Sequence, residues 1–378
     1  MNLLKILIAI IVASSSLLTS ATEMPYASGV TGGFRKSARI AYVNPPSDDK
    51  QVKLTSAVAP NQAKKVLDEL FKKNNAKALL VAQGSDIIYE RYAFGVGKRD
   101  SPLGFSVSKS LVALTVGRAI CDGHIKSIDD ELKNYVPALS GTSWGESSVR
   151  NILMMSSGAY KTAVQFDGHK SAEMQRTLGT ALYDGKMSDD FIEIMRSADE
   201  KNSPSGKEFN YSNFDTLALG LLIEGATKTD FAKYFEKTIW SDVGAESRAA
   251  WVINNKNQPS VYAGFSASPQ DWLRIGTMVL RELKNQDTCF GKYLKEATSK
   301  KIDTFRAGPA SAYGYQIWVQ CRSSDFCFVG FGGQYLLFNI EKNIVVYQHA
   351  TTFSNVVWST PSVIGDLILG LETGNPGR

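Results

Sequence analysis

The strand-like runs of this chain fall into two groups far apart in sequence, and that separation limits the possible folds more than any single motif does. "AKALLVAQGSDIIYERYAFG" holds two β runs around the Gly84-Ser85-Asp86 turn, a hairpin signal. The second group, "YGYQIWVQC", "FCFVGFGG", "QYLLFNI" and "NIVVYQHA", lies near the C-terminal end. Between them, from Ser106 to about Glu246, the pattern is mostly helical. An opening helix at "PNQAKKVLDELFKKN", with Val66, Leu67, Leu70 and Phe71 on one face, precedes the hairpin. A closing helix, "PSVIGDLILGL", is expected from Pro361. This order suggests one sheet assembled from both chain ends, with the helical middle laid over one side of it.

Within the middle, Gly123 is expected to close the helix opened at Ser106, Ser127 to start another, and Ser148 to cap "VRNILMM". Asp129 and Asp130 read as structural acids in a first helical turn.

The N-terminus, "MNLLKILIAIIVASSSLLTSATEM", carries one lysine, an apolar stretch and then small residues, the layout of a secretory signal peptide cleaved near Ala21. An uncleaved anchor helix is the alternative, but the purely apolar part is short for a bilayer. No cysteine lies near the cut to mark a lipoprotein, and no later segment reads as a membrane span. The mature chain is therefore expected to be secreted or periplasmic. Residues 22–58, with "TGG" and "NPPSDD", read as an extended or mobile arm.

A net charge of +5, scattered without a basic stripe, gives no reason to expect nucleic acid as a partner. Four cysteines fit an oxidising compartment. Cys321 and Cys327 flank "RSSDF" between two strand-like runs and are expected to bridge across a hairpin; a Cys121–Cys289 pair is left open. With three histidines and no paired short cysteine spacings, neither a zinc site nor any other cofactor is called for.

The chemistry-bearing candidates begin with "FSVSKSLVAL". A serine hydroxyl needs a nearby base and a place for negative charge to develop. On a helix, Ser106 and Lys109 share one face, and Ser106 lies in the first turn, where backbone N–H groups favour an oxyanion. The apolar Leu111, Val112, Leu114 and Val116 bury that helix, and burial depresses a lysine pKa, which makes Lys109 a proton acceptor. The alternative is a plain helix cap at Ser106. S-x-x-K is cheap, since Ser47-Asp-Asp-Lys50 also matches it in the arm; context separates the two.

In "EFNYSNFDTLALGLLIEGA", Tyr211 and Asn213 stand just before an apolar helix. A tyrosine beside a lysine cation is expected to have a lowered pKa and to relay protons, and Asn213 to orient Lys109 or substrate; the alternative is a buried tyrosine and a capping asparagine. Tyr42-Val-Asn44 matches Y-x-N equally well in the arm. In "CFVGFGGQYLLF", Gly330, Gly332 and Gly333 mark either a tight turn or a close approach to the backbone by another group. His124, His169 and His349 lie near no serine elbow and no G-x-S-x-G is present, which disfavours a Ser-His-Asp hydrolase. Trp318 and Tyr315 read as sheet residues.

The order Ser106-Val-Ser-Lys109, Tyr211-Ser-Asn213, Gly330-Phe-Gly-Gly resembles the β-lactamase-related serine hydrolase superfamily, in the class C-like branch that includes penicillin-binding esterases and 6-aminohexanoate-dimer hydrolase. "AICDGHIKSIDDELKNYVPAL", "SSVRNILMMSSG", "SGKEFNYSN", "GFSASPQDWLRIG" and "YGYQIWV" extend the likeness over about residues 60–372. The resemblance implies an α+β fold, an antiparallel sheet flanked by helices plus a mainly helical lobe at about 106–246, within a hydrolase domain spanning 59–378. It implies an acyl-enzyme on Ser106, Lys109 as base, Tyr211 as proton relay, and an oxyanion hole from the N–H groups of Ser106 and Phe331. Where many relatives carry Lys or His in the third motif, this chain has Phe328-Val329-Gly330. A cation that would meet a carboxylate is missing there, so the expected substrate is a small ester or linear amide. The alternatives are a β-lactamase or D,D-peptidase proper, or a catalytically silent relative that only binds. Oligomeric state is not legible.

Overall fold

The structure, a computed structural model, describes residues 39–159, 190–305, 308–321 and 324–350. The expected signal peptide, the first part of the arm, His169 and the closing helix from Pro361 lie outside the described residues.

The chain enters through β1 (Ile40–Val43) and β2 (Thr55–Ser56), then α1 (Asn61–Lys73) and the hairpin β3 (Ala76–Gln83) and β4 (Asp86–Tyr92). Gly84, at φ +62°, makes the hairpin turn. The helices of the middle follow: α2 (Val107–Cys121), α3 (Val149–Leu153), α4 (Phe191–Ala198), α5 (Asn213–Thr227), α6 (Phe231–Phe235), one π turn (Glu236–Trp240) and α7 (Ser241–Val243). Then come β5 (Ala249–Val252), β6 (Phe265–Ser266), α8 (Pro269–Lys284), α9 (Cys289–Ala297), β7 (Ile302–Asp303), β8 (Ala310–Tyr313), β9 (Trp318–Cys321), β10 (Phe326–Gly330), β11 (Gln334–Asn339) and β12 (Ile344–Ala350).

Among the described residues, nine strands form one sheet in the order β2-β4-β3-β12-β11-β10-β9-β8-β7. The join between the two ends of the chain is β3 against β12, antiparallel, with Val81 opposite Val346 and Leu79 opposite Gln348. The two-ended sheet expected from the sequence is thus present. All its pairings are antiparallel except the short edge pair β2–β4, which is parallel.

Strand alternation sorts the side chains to two faces. Leu80, Ala82, Phe328, Leu336, Phe338 and Val345 join the cluster that holds α2 and α8. Leu79, Val81, Val329, Leu337 and Val346 meet Leu67, Leu70 and Phe71 of α1 on the other face. Helix α2 is buried on nearly all sides, as a helix with apolar residues all round must be. It packs on α5, α9 and β10. Gly117 lets Tyr293 of α9 in, since a Cβ there would lie 2.3 Å from the ring, and the Tyr293 hydroxyl donates to Ala113 O at 2.8 Å.

Two expectations need correction. The described part of the arm is extended but fastened: β1 pairs with β5, Val52 N donates to Gly244 O at 2.8 Å, and Ala57 N donates to Ile87 O at 2.9 Å. Val43 is fully buried, so the short apolar run Ile40–Val43 adds a strand that the Pro and Gly signals obscured. No helix starts at Ser127. Its hydroxyl accepts from Asp129 N at 3.1 Å, Asp129 takes Arg150 through two bonds of 2.6 and 2.9 Å, and Asp130 accepts from the Tyr135 hydroxyl at 2.5 Å. These short polar side chains bond locally in turns instead of propagating a helix. Ser148 does cap α3, and Gly123, at φ +79°, follows α2.

Cys321 and Cys327 are bridged across β9 and β10. The open pairing is resolved as Cys121–Cys289, which ties the C-terminal end of α2 to the N-terminal end of α9 across a sequence separation of 168. In the loop-entropy picture the long-range bridge contributes about 5 kcal/mol and the short one about 2 kcal/mol. Replacing Cys121 and Cys289 by Ser is therefore expected to lower the urea midpoint clearly more than replacing Cys321 and Cys327. Equal shifts, or the reverse order, would contradict this ranking.

Candidate active site

Helix α2 starts in a tightly wedged segment. Gly104 N donates to Phe265 O at 2.8 Å, and a Cβ on Gly104 would lie 2.4 Å from the Trp272 ring. Phe105 then takes φ +48°, a left-handed conformation that costs free energy in a residue with a bulky side chain and so persists only where its surroundings enforce it. Ser106 follows, part-exposed, with helical backbone angles and no capping bond from its side chain. The hydroxyl is therefore not spent on the helix end, which removes the plain-cap alternative.

One turn on, Lys109 is 1% exposed. Its Nζ donates to Asn213 Oδ1 at 2.7 Å and to Tyr262 O at 2.7 Å, and lies 3.2 Å from Ser106 Oγ. Burial without a facing carboxylate pushes the Lys109 pKa down to about 7. A neutral amine has two N–H bonds and one lone pair. The two fixed oxygen acceptors take the two N–H groups, so the remaining direction, toward Ser106 Oγ, is the lone pair's.

Three elements deliver these partners. Asn213 is the first residue of α5, whose cap is Ser212, accepting from Phe214 N at 3.1 Å. The amide of Asn213 is thereby left to Lys109, not to capping. Gly220 lets α5 approach the 261–262 segment, since a Cβ there would lie 2.9 Å from Val261. That segment presents the Tyr262 carbonyl. The Tyr211 loop is held from behind by Asn210 N donating to Met155 O at 2.7 Å.

The Tyr211 ring centroid is 5.2 Å from Lys109 Nζ, and the ring stacks on Trp318 with centroids 5.3 Å apart. Here the expected pKa direction is wrong. Burial raises the Tyr211 phenol above its usual value, with a hydrogen bond to Ser106 pulling partly the other way. Desolvation also lowers the lysine's pKa, to about 7, so its charge is partly lost at neutral pH, and burial of the phenol itself decides the direction.

Gly330 ends β10 beside the start of α2. A Cβ at this position would lie 2.2 Å from Gly104 O and 3.2 Å from Val107 Cγ2. Both readings of the glycines hold: a close backbone approach at Gly330, then a turn at 331–333 with Gly332 at φ +78° and Gly333 at φ +93°. Phe331 begins the turn, and its ring lies edge-on to Phe105 with centroids 5.8 Å apart. Phe328 is fully buried and packs on Phe338 at 4.9 Å, so its position presents no charge. Ser106, Lys109, Tyr211 and Asn213 are thus gathered at one place, with Gly330 and Phe331 against the turn that carries Ser106.

Two contributors went unread in the sequence. The Tyr262 carbonyl is a main-chain group with no residue-type signature. Asp215, in the first turn of α5, accepts from Trp144 Nε1 at 2.9 Å and Ser157 Oγ at 2.7 Å, and burial pushes its pKa up to about 7. Its signal was visible as a lone acid in "NFDTLALGLL". It ties α5 to the 154–158 turn behind the Tyr211 loop.

A family model described as Beta-lactamase matches residues 67–357. The 6-aminohexanoate-dimer hydrolase of Paenarthrobacter ureafaciens is 27% identical over 218 residues, 57% of this chain and 54% of that protein. The match thus spans about half the length of that curated relative. A solved structure from Bacillus anthracis, provisionally described as a 6-aminohexanoate-dimer hydrolase, superposes with a TM-score of 0.75 at 20% identity, covering 90% of this chain and 93% of that one. The penicillin binding protein from Bacillus halodurans gives 0.61 at 15% identity, covering 80% and 99%. EstCE1, a hydrolase with promiscuous acyltransferase activity, gives 0.63 at 14% identity, covering 82% and 98%. At such identities the solved structures speak for the fold alone. With the family match running over most of its length, from α1 past the end of β12, the chain belongs to the Beta-lactamase family, within the β-lactamase-related serine hydrolases.

Proposed function

We propose that this protein is an exported serine hydrolase that cleaves a small ester or linear amide through an acyl-enzyme on Ser106. The observation that carries the reading is the set of partners around Lys109: Asn213 Oδ1 and Tyr262 O take its two N–H groups and its third direction meets Ser106 Oγ. In acylation the Ser106 proton passes to Lys109 as Oγ attacks the substrate carbonyl. The oxyanion is held by the N–H groups of Ser106 and Phe331. Tyr211, kept protonated by its burial, gives its proton to the leaving oxygen or nitrogen and is restored from the Lys109 ammonium. Water then attacks the acyl carbon, its proton goes to Lys109 directly or through Tyr211, and Lys109 returns a proton to Ser106 Oγ as the acid leaves.

The name of the Paenarthrobacter relative supports amide or ester hydrolysis. Phe328, buried among other rings, speaks against the β-lactamase and D,D-peptidase readings, which want a cation for a substrate carboxylate. The presence of nucleophile, base and phenol together speaks against a silent binder. Export rests on the N-terminal pattern and on all four cysteines being spent in two bridges.

Intact-mass analysis after a fluorophosphonate probe is expected to find one adduct on the wild type and none on Ser106→Ala; equal labelling of both would remove Ser106 as nucleophile. Lys109→Ala is expected to lower kcat/KM by about 10²- to 10⁴-fold. The pH dependence has a definite sign. Only the unprotonated amine accepts a proton, and its pKa is near 7. The rate constant kcat/KM should therefore fall about tenfold per pH unit below 7 and level off above it. A flat profile from about pH 5 to 9 would contradict a lysine base.

A further inference from the structure

Resting on the hydrolase reading above, we infer that the acyl side of this site is built for a neutral, apolar acyl group and turns away acyl groups that end in a carboxylate, with the ring of Phe331 as the selecting wall. Phe331 is 54% exposed although most large apolar side chains here are buried. It stands directly after Gly330, and its ring lies edge-on to Phe105, the residue before Ser106. The end of the strand sits directly on the turn that carries Ser106, with Gly330 packed against Gly104 O. An acyl carbonyl whose oxygen meets the Phe331 N–H is therefore within side-chain reach of that residue's own ring. Exposed aromatic surface beside a reacting carbonyl rewards apolar contact and offers a carboxylate nothing.

The rest of the site points the same way. Phe328 leaves no cation on β10. Tyr211, beside Lys109, is stacked on Trp318, with Tyr313 edge-on to it. Electrostatics adds a second penalty. Lys109 works as a base because nothing anionic lies against it. A substrate carboxylate brought close would favour the ammonium form, in which a proton occupies the lone pair that the reaction needs.

The test compares two esters of equal chain length and the same leaving group, 4-nitrophenyl hexanoate and the 4-nitrophenyl monoester of adipic acid, on the full mature protein. The wild type is expected to favour the hexanoate in kcat/KM by about ten- to a hundredfold. Phe331→Lys should shrink or reverse that ratio, and Phe331→Leu should keep its direction. A wild-type ratio near one or favouring the adipate, or a ratio unmoved in Phe331→Lys, overturns the inference. The wild-type comparison decides the matter even if Phe331→Lys does not fold. If Ser106 takes the fluorophosphonate but neither ester turns over, this inference falls and the hydrolase reading stands; if Ser106 also stays unlabelled, both fall.

Discussion

The structure turns on one costly placement, an amine held at 1% exposure in the middle of the domain. A charged ammonium in that position would be strongly disfavoured without an anion beside it. The cost is met partly by shifting the amine toward its neutral form and partly by two short bonds to oxygens that cannot move away. One of those oxygens is a side chain at the start of α5 and the other a main-chain carbonyl just before β6. The amine is therefore positioned by two separate elements, and the mutual packing of α2 and α5 is what keeps its lone pair aimed at the serine.

The sheet serves the same end from the other side. Pairing β3 with β12 closes the strand array across the two ends of the chain, and pairing with β11, ending at Gly330 opposite Gln334, sets where β10 terminates. Its last residue has to be glycine, because the strand ends in contact with the carbonyl of Gly104. The left-handed turn at Phe105 then brings Ser106 out of the wedge with its hydroxyl unused by the helix. Strain before Ser106, close packing beside it and the buried Lys109 amine behind it form one arrangement.

Much of this was legible in the residues. The apolar run after Ser106 marks a helix that must be buried, and a lysine inside such a run has no good place to stay charged. Tyr211 and Asn213 precede the second buried helix, and the glycines after Phe328 stand where a strand should not have them. The two-ended sheet followed from where the β runs lie. What stayed hidden is what side-chain identity does not encode. The Tyr262 carbonyl is backbone, the pairing of Cys121 with Cys289 depends on a tertiary contact, and the Asp129–Arg150 pair outcompetes a helix that Ser127 could have started. The Tyr211 shift runs opposite to the expectation, because one lysine cannot be a cation for the phenol and a neutral amine for the serine at once. Burial acts on both groups and favours the uncharged form of each.

The central claim is thus that the buried Lys109 amine loses its proton near pH 7, several units below an exposed lysine, and that its lone pair then faces Ser106. Its most direct measurement is a pH titration of the lysine ε-carbons by NMR in protein labelled at that position, with Lys109→Ala identifying the resonance. The account predicts that this one resonance titrates near pH 7 while the exposed lysines titrate near their usual value of about 10.4. A Lys109 resonance that titrates together with the surface lysines would contradict it.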